Sequence, residues 1–82
     1  MKLRNWWFFE DDGDVVCYGY VEGSSRHSDG KLISTSRITG VVSTSPLVID
    51  TYSGSKYTLE EPDYEGHKAS IRSGCKRLGI RL

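Results

Sequence analysis

Residues that build helical bundles are scarce in this sequence. Its 82 positions hold only one alanine and one methionine, beside nine glycines and five tyrosines. A helical bundle would be rich in alanine, leucine and glutamate, so the composition excludes that class and favours a small β-rich domain. Leucine, isoleucine, valine and aromatic residues recur along the chain, which excludes a disordered protein. The length allows one hydrophobic core, and we expect a single domain over residues 1–82.

Long hydrophobic runs are also missing. The longest, Trp6 to Phe9, has four residues, whereas a membrane span needs about 20 and the core of a secretory signal about 7–15. We therefore expect a cytoplasmic protein without a membrane segment. In a reducing cytosol the two cysteines, Cys17 and Cys75, are expected to be free thiols. Because both lie on apolar stripes, we also expect them to be buried.

No pattern of residues indicates catalysis, metal binding or a cofactor. Cys75 and His67 are eight positions apart, which is about 12 Å along a helix. This distance is too long for a hydrogen bond between a nucleophile and its general base. The sequence has no CxxC or HxxxH spacing, and the acidic run Asp11–Asp14 lacks the further ligands of a calcium loop. We therefore predict that the protein is not an enzyme and needs no cofactor or metal.

A period-two alternation of apolar and polar residues runs through the first sixty positions. Six segments have this pattern, and all but the third and fourth are separated by turns that contain glycine or proline. The expected strands are 3–10, 15–22, 31–36, 38–43, 47–52 and 56–60. The third and fourth segments could also form one bent strand. The pattern predicts a hairpin-rich antiparallel sheet within residues 1–61, either open or curled into a small partial barrel.

The period changes to that of a helix after Pro62. Spacings of four and three residues, which mark one helix face, join five side chains. They are Tyr64, Lys68, Ile71, Cys75 and Leu78. Gly79 suits the position just past a helix end, so we expect one C-terminal helix within residues 62–79. Gly66 and Gly74 each disfavour it by about 1 kcal/mol relative to alanine, so the helix is expected to be short or broken. The predicted fold class is α+β, mostly β.

Aromatic residues are concentrated in the first predicted hairpin. Successive strand residues face opposite sides, so Trp6 and Phe8 should point one way and Trp7 and Phe9 the other. A chain this short buries only about 60–65% of its unfolded surface, so at least one of these four rings should stay exposed or lie in an interface. Both faces could still be core. The candidate partner-binding residues are Trp6, Trp7, Tyr18 and Tyr20, with Asp11 and Asp12 to attract a basic partner.

Charge is segregated along the chain although its total is zero. Residues 66–82 carry five cations and no acidic side chain, whereas residues 1–25 and 44–65 are acidic. The basic segment could neutralise the acidic turns within the fold, or it could bind the phosphates of a nucleotide or nucleic acid. The candidate phosphate contacts are Arg72, Lys76, Arg77 and Arg81. Because the total charge is balanced, we expect a protein partner ahead of nucleic acid.

Two stretches of the chain resemble segments of small uncharacterised single-domain proteins of bacteria and their phages. One is Asp29-Gly30 with Thr35-Ser36-Arg37-Ile38, and the other runs from Thr51 to Pro62. Many compact proteins of this style act as anti-CRISPR or other anti-defence inhibitors, so the resemblance implies a phage or mobile-element inhibitor and carries over no site residues. We expect a non-enzymatic protein that acts by protein–protein contact, with a homo-oligomer also open. The alternatives are a phosphate binder and an accessory subunit of an enzyme.

Overall fold

Six strands and one helix follow one another along residues 1–81, the part of the chain that the structure, a computed structural model, describes. The strands are β1 (Lys2–Asp11), β2 (Asp14–Glu22), β3 (Leu32–Ser34), β4 (Ile38–Thr44), β5 (Leu47–Thr51) and β6 (Lys56–Leu59). The helix, α1, spans Tyr64–Leu78. The strands all precede the helix, as the change of period after Pro62 predicts. The expected α+β, mostly β fold class is confirmed.

The strands form one sheet in the order β3-β2-β1-β6-β5-β4. Neighbouring strands are antiparallel except β1 and β6, which run parallel where Lys2 pairs with Thr58 and Leu3 with Leu59. The expectation of a wholly antiparallel sheet is therefore wrong at this one pairing. Hairpin signals act between strands that are adjacent in sequence, and β1 and β6 are joined only through all the strands between them. The sheet is not closed into a barrel, since β3 and β4 are its two edges.

The third and fourth predicted strands are separate, and they lie at opposite edges of the sheet. Thr35, between them, is buried and ties this crossing to β2. Its backbone N–H donates to the Cys17 carbonyl at 2.8 Å, and its hydroxyl oxygen accepts from the Cys17 N–H at 3.0 Å. After Thr35 the chain leaves β2 and crosses to the other edge of the sheet. The two segments therefore do not form one long bent strand.

A bulge in β1 decides which of its side chains enter the core. Asn5 has a positive φ of 49°, and the pairing with β2 shifts between Arg4 and Trp7. A bulge adds one residue to one strand, so the residues on its two sides no longer alternate in step. Leu3 and Trp6 consequently face the same side although three positions separate them. Phe8 follows Trp6 by strict alternation and faces that side as well.

The core lies between this inner face of the sheet and α1. Its side chains are almost fully buried and come from four strands, the helix and the residue after the helix cap. They are Leu3, Trp6, Phe8, Val15, Cys17, Val21, Leu47, Ile49, Tyr57, Leu59, Ile71, Cys75 and Ile80. The two cysteines are unpaired and buried, as expected. Burial raises the pKa of both thiols.

Only the C-terminal half of the predicted helical stripe is buried. Ile71 and Cys75 enter the core, whereas Lys68 is exposed and Tyr64 is 40% exposed. The backbone of His67 leaves the helical region at φ −140° and ψ 32°, directly after Gly66, so the expected weakness of this helix appears as a kink near its start. The first turn thus diverges from the core-facing direction of the rest. No helix in residues 1–81 has the length and apolar character needed to cross a membrane.

Both helix ends have side-chain or backbone caps. Asp63 Oδ1 accepts from the Gly66 N–H at 3.2 Å and caps the N-terminus. At the other end Gly79 is left-handed, with φ 74°, and the N–H groups of Gly79 and Ile80 both donate to the Cys75 carbonyl. This reversal returns Ile80 to the core. The predicted role of Gly79 after the helix is confirmed.

Candidate functional sites

The outer face of β1, β2 and β3 carries a continuous set of apolar side chains. Strand register places Trp7 beside Tyr18 and Phe9 beside Val16 across the first two strands. The next pairing places Tyr20 beside Leu32 on β3. We call this set the aromatic face. It consists of Trp7, Phe9, Val16, Tyr18, Tyr20 and Leu32.

Stacking holds the centre of the aromatic face in a fixed arrangement. The rings of Trp7 and Tyr18 are 5.5 Å apart and nearly parallel at 4°. Phe9 meets the Tyr18 ring edge-on at 6.0 Å and 90°. On the other side of Trp7, the His67 ring stacks at 4.0 Å and 8°. The kink of α1 at His67 therefore adds a fourth ring to the contacting series of Phe9, Tyr18 and Trp7, at one border of the face. The alternation of residues in the sequence gave no signal for His67.

The outer side chains of the aromatic face are accessible to a partner. Phe9 is 48% exposed, Leu32 45% and Tyr20 38%. The expectation that at least one of the four clustered aromatics of β1 stays exposed is confirmed by Phe9. Trp6, by contrast, is 1% exposed and packs 4.9 Å from the Phe8 ring. Its predicted place on the binding surface is therefore wrong, because the β1 bulge turns it inward and leaves Trp7 on the outer face.

One end of the aromatic face is acidic. The β1–β2 turn places Asp11, Asp12 and Asp14 on the surface, and within residues 1–81 none of them forms an ion pair. Glu10, the neighbouring carboxylate, is already paired with side chains of α1. It accepts from the Ser73 hydroxyl at 2.6 Å and from Arg77 at 3.0 Å. These contacts, with the Ser73 hydrogen bond the largest, hold the pKa of Glu10 below its ordinary value.

A second candidate site is a groove beside α1, between its core-facing and exposed sides. Its volume is about 890 Å³. The groove is floored by Ile71, Cys75 and Ile80, with Tyr64 and Glu65 at the helix start. We call it the basic groove because four cations line it. They are Lys68, Arg72, Lys76 and Arg81.

The structure separates Arg77 from the other candidate phosphate contacts. Besides its bond to Glu10, Arg77 donates to the Gly13 carbonyl at 2.6 Å and so holds the β1–β2 turn against the helix. Arg77 does not line the groove, because one residue turns the helix by about 100° and points it away from Lys76. Its role as a phosphate contact stays a prediction. Arg72 and Lys76 do share the groove. The neutralising role foreseen for the basic segment thus occurs at Arg77, and phosphate binding by the other cations stays a prediction.

Sequence reasoning missed two residues of the basic groove. Lys68 was assigned to the core-facing stripe, and Tyr64 with it, since their spacing matches Ile71 and Cys75. The kink at His67 leaves both on the surface. The signal that could have found Lys68 is its spacing of four from Arg72 and eight from Lys76, which puts three cations on one helix face.

Metal-binding geometry is absent from the part of the chain that is described: no three His, Cys, Asp or Glu side chains in residues 1–81 are grouped to hold an ion. Comparisons with protein-family models, with curated proteins and with solved structures found no match to this chain.

Proposed function

We propose that this protein is a non-enzymatic binding protein that engages a protein partner through the aromatic face. The observation that carries the proposal is a continuous apolar surface across three strands on which Phe9, Leu32 and Tyr20 are each more than a third exposed. Scattered exposed apolar residues are ordinary, but contiguous ones on a small monomer mark interaction sites. Trp and Tyr are also the residues that most often dominate the energy of protein interfaces.

The stacked rings favour tight binding because they are ordered before a partner arrives. Trp7 is held between His67 and Tyr18, and Tyr18 also contacts Phe9. Side chains that are already fixed lose little rotamer entropy on association, which reduces one of the main costs of binding. The face therefore presents a rigid apolar platform rather than a set of mobile side chains.

The acidic end of the face sets the chemistry of the partner. Asp11, Asp12 and Asp14 carry three negative charges beside the apolar platform, with no ion pair to them from residues 1–81. A partner with lysine or arginine next to its apolar contact would be attracted, and salt would weaken that attraction. A phosphate backbone would be repelled, so nucleic acid does not suit this face.

Affinity capture from cells that produce the protein tests the proposal with two matched double variants. Phe9→Ala with Tyr20→Ala removes two exposed rings of the aromatic face, whereas Tyr52→Ala with Val42→Ala removes exposed apolar groups elsewhere, at 68% and 51% exposure. We expect one partner to be retained by the wild type and the control and lost by the aromatic-face variant. Equal capture by all three, or loss from the control, contradicts the proposal. Circular dichroism checks that each variant is folded.

The identity and charge of the captured partner test the finer forms of this proposal. A host defence component would support the inhibitor role that the resemblance implies, and an enzyme would support an accessory subunit. Sedimentation of the purified protein tests a second copy of the chain as the partner. Asp11→Asn with Asp12→Asn should slow association at low salt, while Glu60→Gln with Glu61→Gln, which changes the net charge equally, should not.

A further inference from the structure

We propose that the basic groove binds a short single-stranded nucleic-acid segment, independently of the aromatic face. Lys68, Arg72 and Lys76 are each four residues apart on α1, so they lie on one side of the helix at intervals of about 6 Å. Arg81, which follows the chain reversal at Gly79, adds a fourth cation at the C-terminal end. The result is a row of charges, which matches a chain of phosphates better than one compact anion.

These cations are available to a ligand. Within residues 1–81 none of the four forms an ion pair or a side-chain hydrogen bond, in contrast to Arg77. Four cations against Glu65 give the lining a net charge of +3, although the chain as a whole is neutral. Like charges four residues apart on a helix repel each other. A bound polyanion would relieve that repulsion, so the row is suited to a ligand rather than to the stability of the fold.

An aromatic ring favours nucleic acid over an acidic peptide as the occupant. Tyr64, at the start of the helix, lines the same groove and is 40% exposed. Proteins that bind single strands combine a basic groove for the backbone with aromatic rings on which bases stack. An acidic peptide would use the cations but would have no need of the ring. The site is a groove with Ile71, Cys75 and Ile80 at its floor, and a groove admits a single strand more readily than a duplex.

Fluorescence anisotropy with a dye-labelled oligothymidylate of about eight nucleotides tests the proposal on the full chain. Four phosphate contacts predict that log K falls with log salt at a slope of about −3, since each contact to a single strand contributes about −0.7. Arg72→Gln with Lys76→Gln should weaken binding about tenfold or more and halve the slope. Arg26→Gln with Lys31→Gln changes the net charge equally at exposed positions outside the groove, and it should leave the affinity within about twofold.

A second pair of matched variants tests the proposed stacking of a base on Tyr64. Tyr64→Leu should weaken oligothymidylate binding about fivefold, because one base loses its platform, while Tyr52→Leu at an exposed tyrosine outside the groove should not change it. Polyglutamate and a DNA duplex serve as competitors. Polyglutamate that competes as well as the oligonucleotide would assign the groove to an acidic peptide, and a duplex that binds more tightly than the single strand would also overturn the proposal.

Independence from the aromatic face is measured with the same variants. Phe9→Ala with Tyr20→Ala should bind the oligonucleotide as the wild type does, and Arg72→Gln with Lys76→Gln should still capture the protein partner. Absence of oligonucleotide binding at low salt, or equal loss in the Arg26 and Lys31 control, refutes the groove without affecting the proposed protein-binding function.

Discussion

Phe8 lies directly against Gly74, at the point where α1 crosses the inner face of β1. A Cβ atom added to Gly74 would come within 2.5 Å of Phe8 Cβ and 2.6 Å of Phe8 Cδ2. Phe8 is fully buried, so its ring has no open space into which it could move. The absence of a side chain at position 74 therefore lets the helix approach the strand closely enough for Ile71 and Cys75 to enter the core.

Alanine substitutions at two glycines of α1 should have different effects for this reason. Gly74→Ala should lower the free energy of unfolding by about 1–3 kcal/mol through overpacking, even though alanine favours a helix by about 1 kcal/mol. Gly66→Ala is the control, because its Cβ would meet only the Asp63 carboxylate, at 3.0 Å. We expect it to change stability by less than about 1 kcal/mol. Urea unfolding measures both, and a Gly74→Ala variant as stable as the wild type would disprove the close contact.

Alanine substitutions at Trp6 and Phe9 should differ in their effect on the free energy of unfolding, because one residue is buried and the other is exposed. Trp6 is buried at 1% exposure, so Trp6→Ala should destabilise the fold by about 3–5 kcal/mol. Phe9 is 48% exposed, and Phe9→Ala should cost less than about 1 kcal/mol of stability. Thermal and chemical unfolding of the two variants give the comparison. If Phe9→Ala unfolds the protein as readily as Trp6→Ala, the aromatic face is part of the core.

Both thiols should resist modification in the folded protein. Burial raises the pKa of Cys17 and of Cys75, so little reactive thiolate forms at neutral pH. We expect slow labelling by an aromatic disulfide reagent at pH 8 in native buffer and rapid labelling of both thiols in denaturant. Cys17, at 0% exposure, should be slower than Cys75 at the floor of the groove. Rapid native labelling of both, or a stable disulfide between them, would contradict this prediction.

The contacts of Glu10 should make stability depend on pH. Ser73 and Arg77 hold the pKa of Glu10 below its ordinary value of 4.5. A lowered native pKa contributes stability above the unfolded-state pKa, and that contribution is lost as the pH falls through the native value. Glu10→Gln should therefore destabilise the protein at pH 7 and have a smaller effect at pH 3. Urea midpoints at both pH values measure it, with Glu60→Gln as an exposed control, and an equal effect of Glu10→Gln at both would be contrary to expectation.

The fold class and the order of elements could be predicted because they depend on local patterns. Alternation over the first sixty residues marks all six strands, and the change of period after Pro62 marks the helix. Gly79 indicates the helix end since its left-handed conformation suits a residue without a side chain. The weak helix start could also be foreseen, as Gly66 stands beside the kink at His67. Each of these signals acts within a few residues.

The two candidate sites were only partly predictable. Tyr18 and Tyr20 lie on the outer face with Trp7, as the alternation of β2 indicates. The inward position of Trp6 depends on the bulge at Asn5, whose positive φ has no alternation signal. The stacking of His67 on Trp7 depends on where the helix starts relative to β1.

Composition and local pattern by themselves determined a small β-rich fold with a C-terminal helix, and charge segregation left open whether the basic segment would neutralise the acidic turns. Only the tertiary structure decided that β6 runs parallel to β1 and that Arg77 neutralises Glu10 while Arg72 and Lys76 stay unpaired. The physical reason is distance along the chain. Arg77 and Glu10 are 67 residues apart, and their contact depends on how the whole sheet places β1 beneath the helix.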